Sequence, residues 1–197
     1  MRVLLVASEA FPIVKTGGLA DVVGALPPAL RGHGVDARLL LPAYPGTMQQ
    51  VDADPAGAIA VGDLLGAGPA QLVPFTHDAA GLRGWLLDCP ALLDREGGPY
   101  LDEHGHDHHD IHLRFALLSR VAALVATLPG LTGFAVDLVH CHDWQAGLVG
   151  AYFAAFGGRR PPLVFTAHNL HFSGRFDPAV LPSLGLPTTM QQVDGVG

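Results

Sequence analysis

The stretch Arg2–Leu30, RVLLVASEAFPIVKTGGLADVVGALPPAL, decides the fold. Its opening run, Arg2 to Ala7, is short and continuously apolar, the pattern of a strand covered on both faces in a parallel sheet. A loop, SEAFPIVKTGG, follows. Leu19, Val22, Val23, Leu26 and Leu30 then recur at helical spacing and predict one buried helix face. Pro27 and Pro28 lie inside that helix and predict a kink or a tightened turn, and Gly32 and Gly34 end it. A strand, a loop and a helix in this order form the first unit of an α/β chain.

Outward from this unit, DARLLLPAY (Asp36–Tyr44) reads as a second strand. The middle of the chain differs. AIAVGDLL, AQLVPFTHD and LRGWLLDC are short strand-like runs divided by turn residues, expected to form hairpins beside the main sheet. After a polar loop, Ile111–Leu128 predicts a strong helix, with Leu113, Leu117, Val121, Leu124, Val125 and Leu128 on one side. VDLVHCHD and LVFTAHN are strands running into polar ends, separated by a helix at WQAGLVGAYFAAF and a loop at GRRPP. DPAVLPSLGL predicts a short helix. Strands alternating with helices indicate an α/β fold. The expectation is an open, mostly parallel sheet with helices on both faces, right-handed crossovers and a small β-hairpin insertion.

Bulk composition narrows the function. At 197 residues, 49% hydrophobic and 15% charged, the chain suits one domain with a substantial core. Its net charge, 11 − 18 = −7, argues against a nucleic-acid surface. Cys89 and Cys141 are far apart and form no C-x-x-C pair, which predicts a reduced, cytoplasmic chain. MRVLLVASEA lacks the h-region and cleavage site of a signal peptide. No apolar stretch approaches the ~20 residues of a membrane span, so no membrane partner is expected.

In open α/β sheets ligands bind beyond the carboxyl ends of the strands. Three polar stretches fall at such ends: Lys15-Thr16-Gly17-Gly18, His140-Cys141-His142-Asp143 and His168-Asn169. The topology brings them to one edge of the sheet. Gly17 and Gly18 permit close approach of a ligand or a positive φ, and they precede a helix start that favours an anion. Lys15 adds a mobile positive charge. The same residues equally make a plain loop and helix cap. Asp21 either complements the helix dipole or reaches a sugar hydroxyl. His140 and His142 share one side of their strand, yet a metal needs three or four ligands in a known spacing, and none is expected. Asp143 suits a polar substrate better. His168 and Asn169 make either a capped turn or a hydroxyl-binding contact. The histidine-rich stretch His104–His112, HGHDHHDIH, reads as a solvated loop without tight zinc binding.

KTGGLADV at Lys15–Val22 resembles the hallmark of bacterial glycogen synthases and plant starch synthases. The resemblance continues through GVDARLLLPAYP, GGPYLD, LRFALLSRVAAL, DLVHCHDWQAGL, FTAHNLHFSGRF, LPSLGLP and DGV, covering nearly the whole chain. It implies half of a GT-B fold, in which two Rossmann-like domains face each other across a cleft. The chain then reads, over residues 1–197, as the N-terminal, acceptor-side domain, and the C-terminal nucleotide-binding domain is absent from it. The implied reaction transfers glucose from ADP-glucose, with retention, to the non-reducing end of an α-1,4-glucan, without a metal or other cofactor.

Residue by residue, the resemblance implies that Lys15, Gly17, Gly18, Tyr100 and Asn169 bind the donor. Asp21, Asp143 and His168 are implied in catalysis, with His168 at the reacting centre. Asp110-Ile111, Gln145 and His171-Phe172-Ser173 depart from the family's usual motifs around the acceptor and loop regions. Two other readings stand beside this one: a GT-B transferase for a different nucleotide sugar, and a non-catalytic module binding a glucan or a nucleotide sugar.

Overall fold

The computed structural model describes residues 1–191. Eight strands form one sheet: β1 (Arg2–Val6), β2 (Asp36–Pro42), β3 (Asp52–Ala53), β4 (Ile59–Gly62), β5 (Ala70–His77), β6 (Leu82–Asp88), β7 (Leu138–His142) and β8 (Leu163–Thr166). The helices are α1 (Gly18–Arg31), α2 (Pro90–Leu93), α3 (Ile111–Thr127), α4 (Pro129–Thr132) and α5 (Val149–Phe156). The sheet order is β3-β5-β6-β2-β1-β7-β8, with β4 also on β5. From β6 through β2, β1 and β7 to β8 every pairing is parallel. The pairings of β5 are antiparallel.

β1 is apolar throughout because alternate side chains serve two cores. Leu4 and Val6 pack with Leu40, with Phe115, Leu118 and Val121 of α3, and with Tyr152 of α5. Val3 and Leu5 pack with Leu39 and Leu41 and with Leu19 and Val23 of α1. Helices therefore cover both faces, as expected for a Rossmann-like sheet.

α1 forms where the spacing predicts it and runs through Pro27 and Pro28 to Arg31. Its buried face is Leu19, Ala20, Val23, Gly24 and Pro27, with Val22 turned to solvent, contrary to the expected apolar stripe. Gly24 explains the rotation. A Cβ there would lie 2.1 Å from the Phe11 carbonyl oxygen, so the helix is seated directly on the loop after β1. Phe11 N–H donates to the Ala20 carbonyl at 2.9 Å across the same contact.

The middle strands differ from expectation too. They extend the main sheet instead of lying beside it, because β6 pairs with β2 from Leu39↔Gly84 to Pro42↔Leu87. Gly84 permits this approach, since a Cβ there would fall 1.9 Å from the Leu39 carbonyl oxygen. α3 is buried around most of its circumference, with Leu117, Val121 and Val125 inside and Leu128 exposed. The stretch expected as a short helix is a 3-10 turn at Pro178–Leu184. The DGV motif lies outside the described residues.

Candidate active site

β1 has β2 on one side and β7 on the other, and β8 lies beyond β7. The strand order diverges at β1, and the carboxyl ends of β1, β7 and β8 meet on one edge of the sheet. That crevice is where an α/β sheet holds its ligand. The loop bearing Lys15, Gly17 and Gly18 leaves β1, Asp143 follows β7, and His168 and Asn169 follow β8.

The first loop is organised by Glu9, a residue that the sequence reading passed over. Its side chain is buried, with the residue only 2% exposed. It accepts hydrogen bonds from Thr16 N–H, from Thr16 Oγ1 at 2.7 Å, from Gly17 N–H at 3.3 Å and from the Tyr100 hydroxyl. Tyr100 also meets Ser8 Oγ at 2.8 Å. Burial, and then the neighbouring Glu9 charge, push the Tyr100 phenol far above its ordinary range, so it stays a donor. Gly17 is the N-cap of α1 in an extended conformation, with φ −146°, and provides no side-chain cap. Nothing lies within 4 Å of a Cβ built on Gly17 or Gly18. Neither glycine has a positive φ, and the missing side chains leave free space in front of the main chain. Lys15 Nζ pairs with Asp21 at 2.7 Å, both side chains being about half exposed. Such a pair is weak and can be exchanged for a stronger anion.

The second set is built on histidines. His140 and His142 share a side of β7 and stack at 4.1 Å. His140 Nε2 and Thr166 Oγ1 share a hydrogen bond at 2.8 Å, and His142 Nδ1 and His168 Nε2 share one at 3.0 Å. Asp143 has φ 56° and ψ −179°, a conformation ordinarily left to glycine. This turns its carboxylate onto the chain after β8, where Oδ1 accepts from His168 N–H at 2.6 Å and from Asn169 N–H at 3.5 Å. Asn169 is exposed, and its Oδ1 accepts from His171 N–H at 3.0 Å. Among the described residues no hydrogen bond joins the two sets. Ring contacts run from Tyr100 to Phe115 at 5.9 Å and from Phe115 to Trp144, the residue after Asp143, at 5.1 Å.

His142 is fully buried, and desolvation, followed by the charges of His140 and His168, lowers its pKa to about 3. The folded state therefore refuses a proton that an unfolded histidine accepts near pH 6.5. Above that pH His142 adds no pH dependence. Between pH 6.5 and 3 it makes stability fall as the medium is acidified, by about 2 kcal/mol at pH 5. Urea unfolding at pH 7 and pH 5 measures this loss, which is expected to shrink in His142→Asn.

The histidine-rich stretch is a turn held by Asp102, whose Oδ1 accepts from the N–H groups of His104 and His106. α3 starts at Ile111, so His108 lies outside it, buried with Nε2 on the Gly98 carbonyl. Among the described residues no three His, Cys, Asp or Glu side chains are placed to hold a metal ion. A cavity of about 710 Å³ lies beside Trp144, lined by His112, Phe115, Phe165, Phe176 and Leu181, apart from Lys15 and His168.

The chain is 49% identical over 196 residues to a glycogen synthase of Rhodospirillum rubrum, covering 100% of this chain and 40% of that protein. It is 51% identical over 197 residues to a glycogen synthase of Granulibacter bethesdensis, again covering 100% of this chain and 40% of that one. The chain thus spans about 40% of the length of these curated relatives. The catalytic domain of starch synthase IV from Arabidopsis thaliana, solved with ADP and acarbose, superposes with a TM-score of 0.79 at 26% identity. That match covers 98% of this chain and 39% of the plant chain. The model of the starch synthase catalytic domain matches residues 2–197, and the chain belongs to that family.

Proposed function

We propose that this chain is the N-terminal, acceptor-side domain of an ADP-glucose-dependent glycogen synthase. In this reading the enzyme transfers glucose, with retention, from ADP-glucose to the non-reducing end of an α-1,4-glucan in the cytoplasm. The observation that carries it is the meeting of the Lys15–Gly18 loop with the Asp143–His168 pair at adjacent strand ends, in a chain of this family. Lys15 and the start of α1 stabilise the charge that develops on the leaving diphosphate. The space in front of Gly17 and Gly18 admits the donor to the main chain. His168 and Asn169 meet the transferred sugar, and Asp143 fixes the backbone that carries them. Asp21 holds Lys15 until the diphosphate displaces it. Two buried, unpaired cysteines support a reducing compartment. Among the described residues no helix is long and apolar enough to cross a membrane.

The opposite wall of the cleft belongs, in this reading, to a nucleotide-binding domain outside this chain. The test is glucosyl transfer to glycogen by the full-length protein, with ADP-glucose and UDP-glucose compared. Transfer from ADP-glucose is expected, with none from the 197-residue chain alone. Lys15→Ala is expected to raise the donor KM by about 10-fold or more, the effect of losing a charge-assisted contact. Exclusive use of UDP-glucose would assign a different transferase.

A further inference from the structure

Glu9 carries a buried carboxylate that no lysine or arginine neutralises among the described residues. Desolvating a charge is costly unless hydrogen bonds replace the lost water, and here four donors do so. Two are main-chain N–H groups, those of Thr16 and Gly17, and both meet Oε2. The other two are hydroxyls, of Thr16 and Tyr100, and both meet Oε1. Tyr100 is itself fixed from behind. The fully buried Arg114 donates to the Pro99 carbonyl at 2.8 Å and the Leu92 carbonyl at 2.6 Å, tying the segment that bears Tyr100 to α3.

The consequence of these contacts lies at the surface. Glu9 occupies the N–H groups of Thr16 and Gly17 from the protein side. The first turn of α1 has no side-chain cap. The loop is thereby held in the conformation that leaves Lys15 half exposed, the space before Gly17 and Gly18 open and the start of α1 without a side-chain cap, at the carboxyl end of β1. We propose that Glu9 is the positioning residue of the donor loop, its carboxylate fixing Thr16 and Gly17 so that Lys15 and the start of α1 face the diphosphate of a nucleotide sugar, with Tyr100 fixing Glu9 in turn. This rests on the donor reading given above.

The arrangement of donors makes the proposal discriminating. Hydroxyls accept as well as donate. A glutamine with its oxygen at the Oε2 place and its amide nitrogen at the Oε1 place keeps every contact. An aspartate, one methylene shorter, reaches neither pair. The experiment measures kcat, the KM for ADP-glucose and the KM for glycogen on the full-length protein with Glu9→Gln, Glu9→Asp and Glu9→Ala. A thermal melt accompanies each variant. Glu9→Asp and Glu9→Ala are expected to raise the donor KM about 10-fold or more while the glycogen KM stays put, and Glu9→Gln to restore it to within about 3-fold of wild type. Glu9→Asp, the more conservative change, carries the test if Glu9→Ala fails to fold. The proposal is overturned if Glu9→Asp leaves the donor KM unchanged, if both KM values rise together, or if Glu9→Gln is as damaging as Glu9→Ala. A wild-type protein that does not use ADP-glucose overturns the donor reading and this proposal with it. Wild-type activity with an unchanged donor KM in Glu9→Asp overturns the proposal alone.

Discussion

In the full-length protein, Asp143→Ala is expected to lower kcat by about 100-fold, the penalty for a reacting group displaced by about an ångström. The carboxylate of Asp143 receives the His168 main-chain N–H at 2.6 Å, the shortest of the hydrogen bonds that tie the end of β7 to the chain beyond β8 at the site. Alanine removes the acceptor and leaves a part-buried N–H unpaired. It also keeps the backbone cost, because φ 56° with ψ −179° disfavours any residue with a Cβ by about 1–3 kcal/mol. Asp143→Gly separates the two effects. It relieves the backbone and still lacks the carboxylate, so it is expected to be more stable than Asp143→Ala and equally slow. Asp143→Asn keeps an acceptor and should lie between them and wild type. Steady-state kinetics paired with urea unfolding check the ordering. Wild-type turnover in Asp143→Gly would remove the carboxylate from any part in holding His168.

Gly24→Ala is expected to destabilise the protein by about 3 kcal/mol, at the upper end of overpacking substitutions. The added Cβ would sit 2.1 Å from the Phe11 oxygen and 3.0 Å from its carbonyl carbon, and both are main chain that no rotamer change can move. α1 would have to lift from the loop, breaking the Phe11–Ala20 hydrogen bond and unseating the segment that leads to Lys15. Gly17→Ala is the control, since its Cβ meets nothing within 4 Å. Its unfolding midpoint should match wild type while its donor use falls. An unchanged midpoint in Gly24→Ala would show that the helix is not seated on this loop.

The central fold was legible because it depends on local signals. The continuous apolar run of β1 and the helical spacing after Gly18 require no knowledge of partners. The convergence of three strand ends followed from topology alone. Val22 was misplaced because the spacing fits more than one helical face, and the contact of Gly24 with Phe11 selects among them. β6 was read as a side hairpin because nothing local in LRGWLLDC reveals a parallel neighbour. Gly84 was the available sign of close backbone approach. At the site, Lys15, Asp143 and His168 stood out by residue type and position. Glu9 did not, because a single acid in SEAFP resembles any loop residue, and its partner Tyr100 lies 91 positions away. The alternation of β7 placed His140 and His142 together correctly. It could not show that His142 reaches across to His168 on another strand.

During synthesis on the ribosome, β1 finds β2 early and then waits. Its other edge belongs to β7, which begins at Leu138, long after β2 ends at Pro42. At roughly 5–20 residues per second that interval is roughly 5–20 s, spent with an apolar central strand unpaired along one side. The pair that holds His168 is made later still, once β8 has emerged. The two halves of the candidate site thus come into being at different times, and the Glu9-held loop can be in place before the histidines that face it exist.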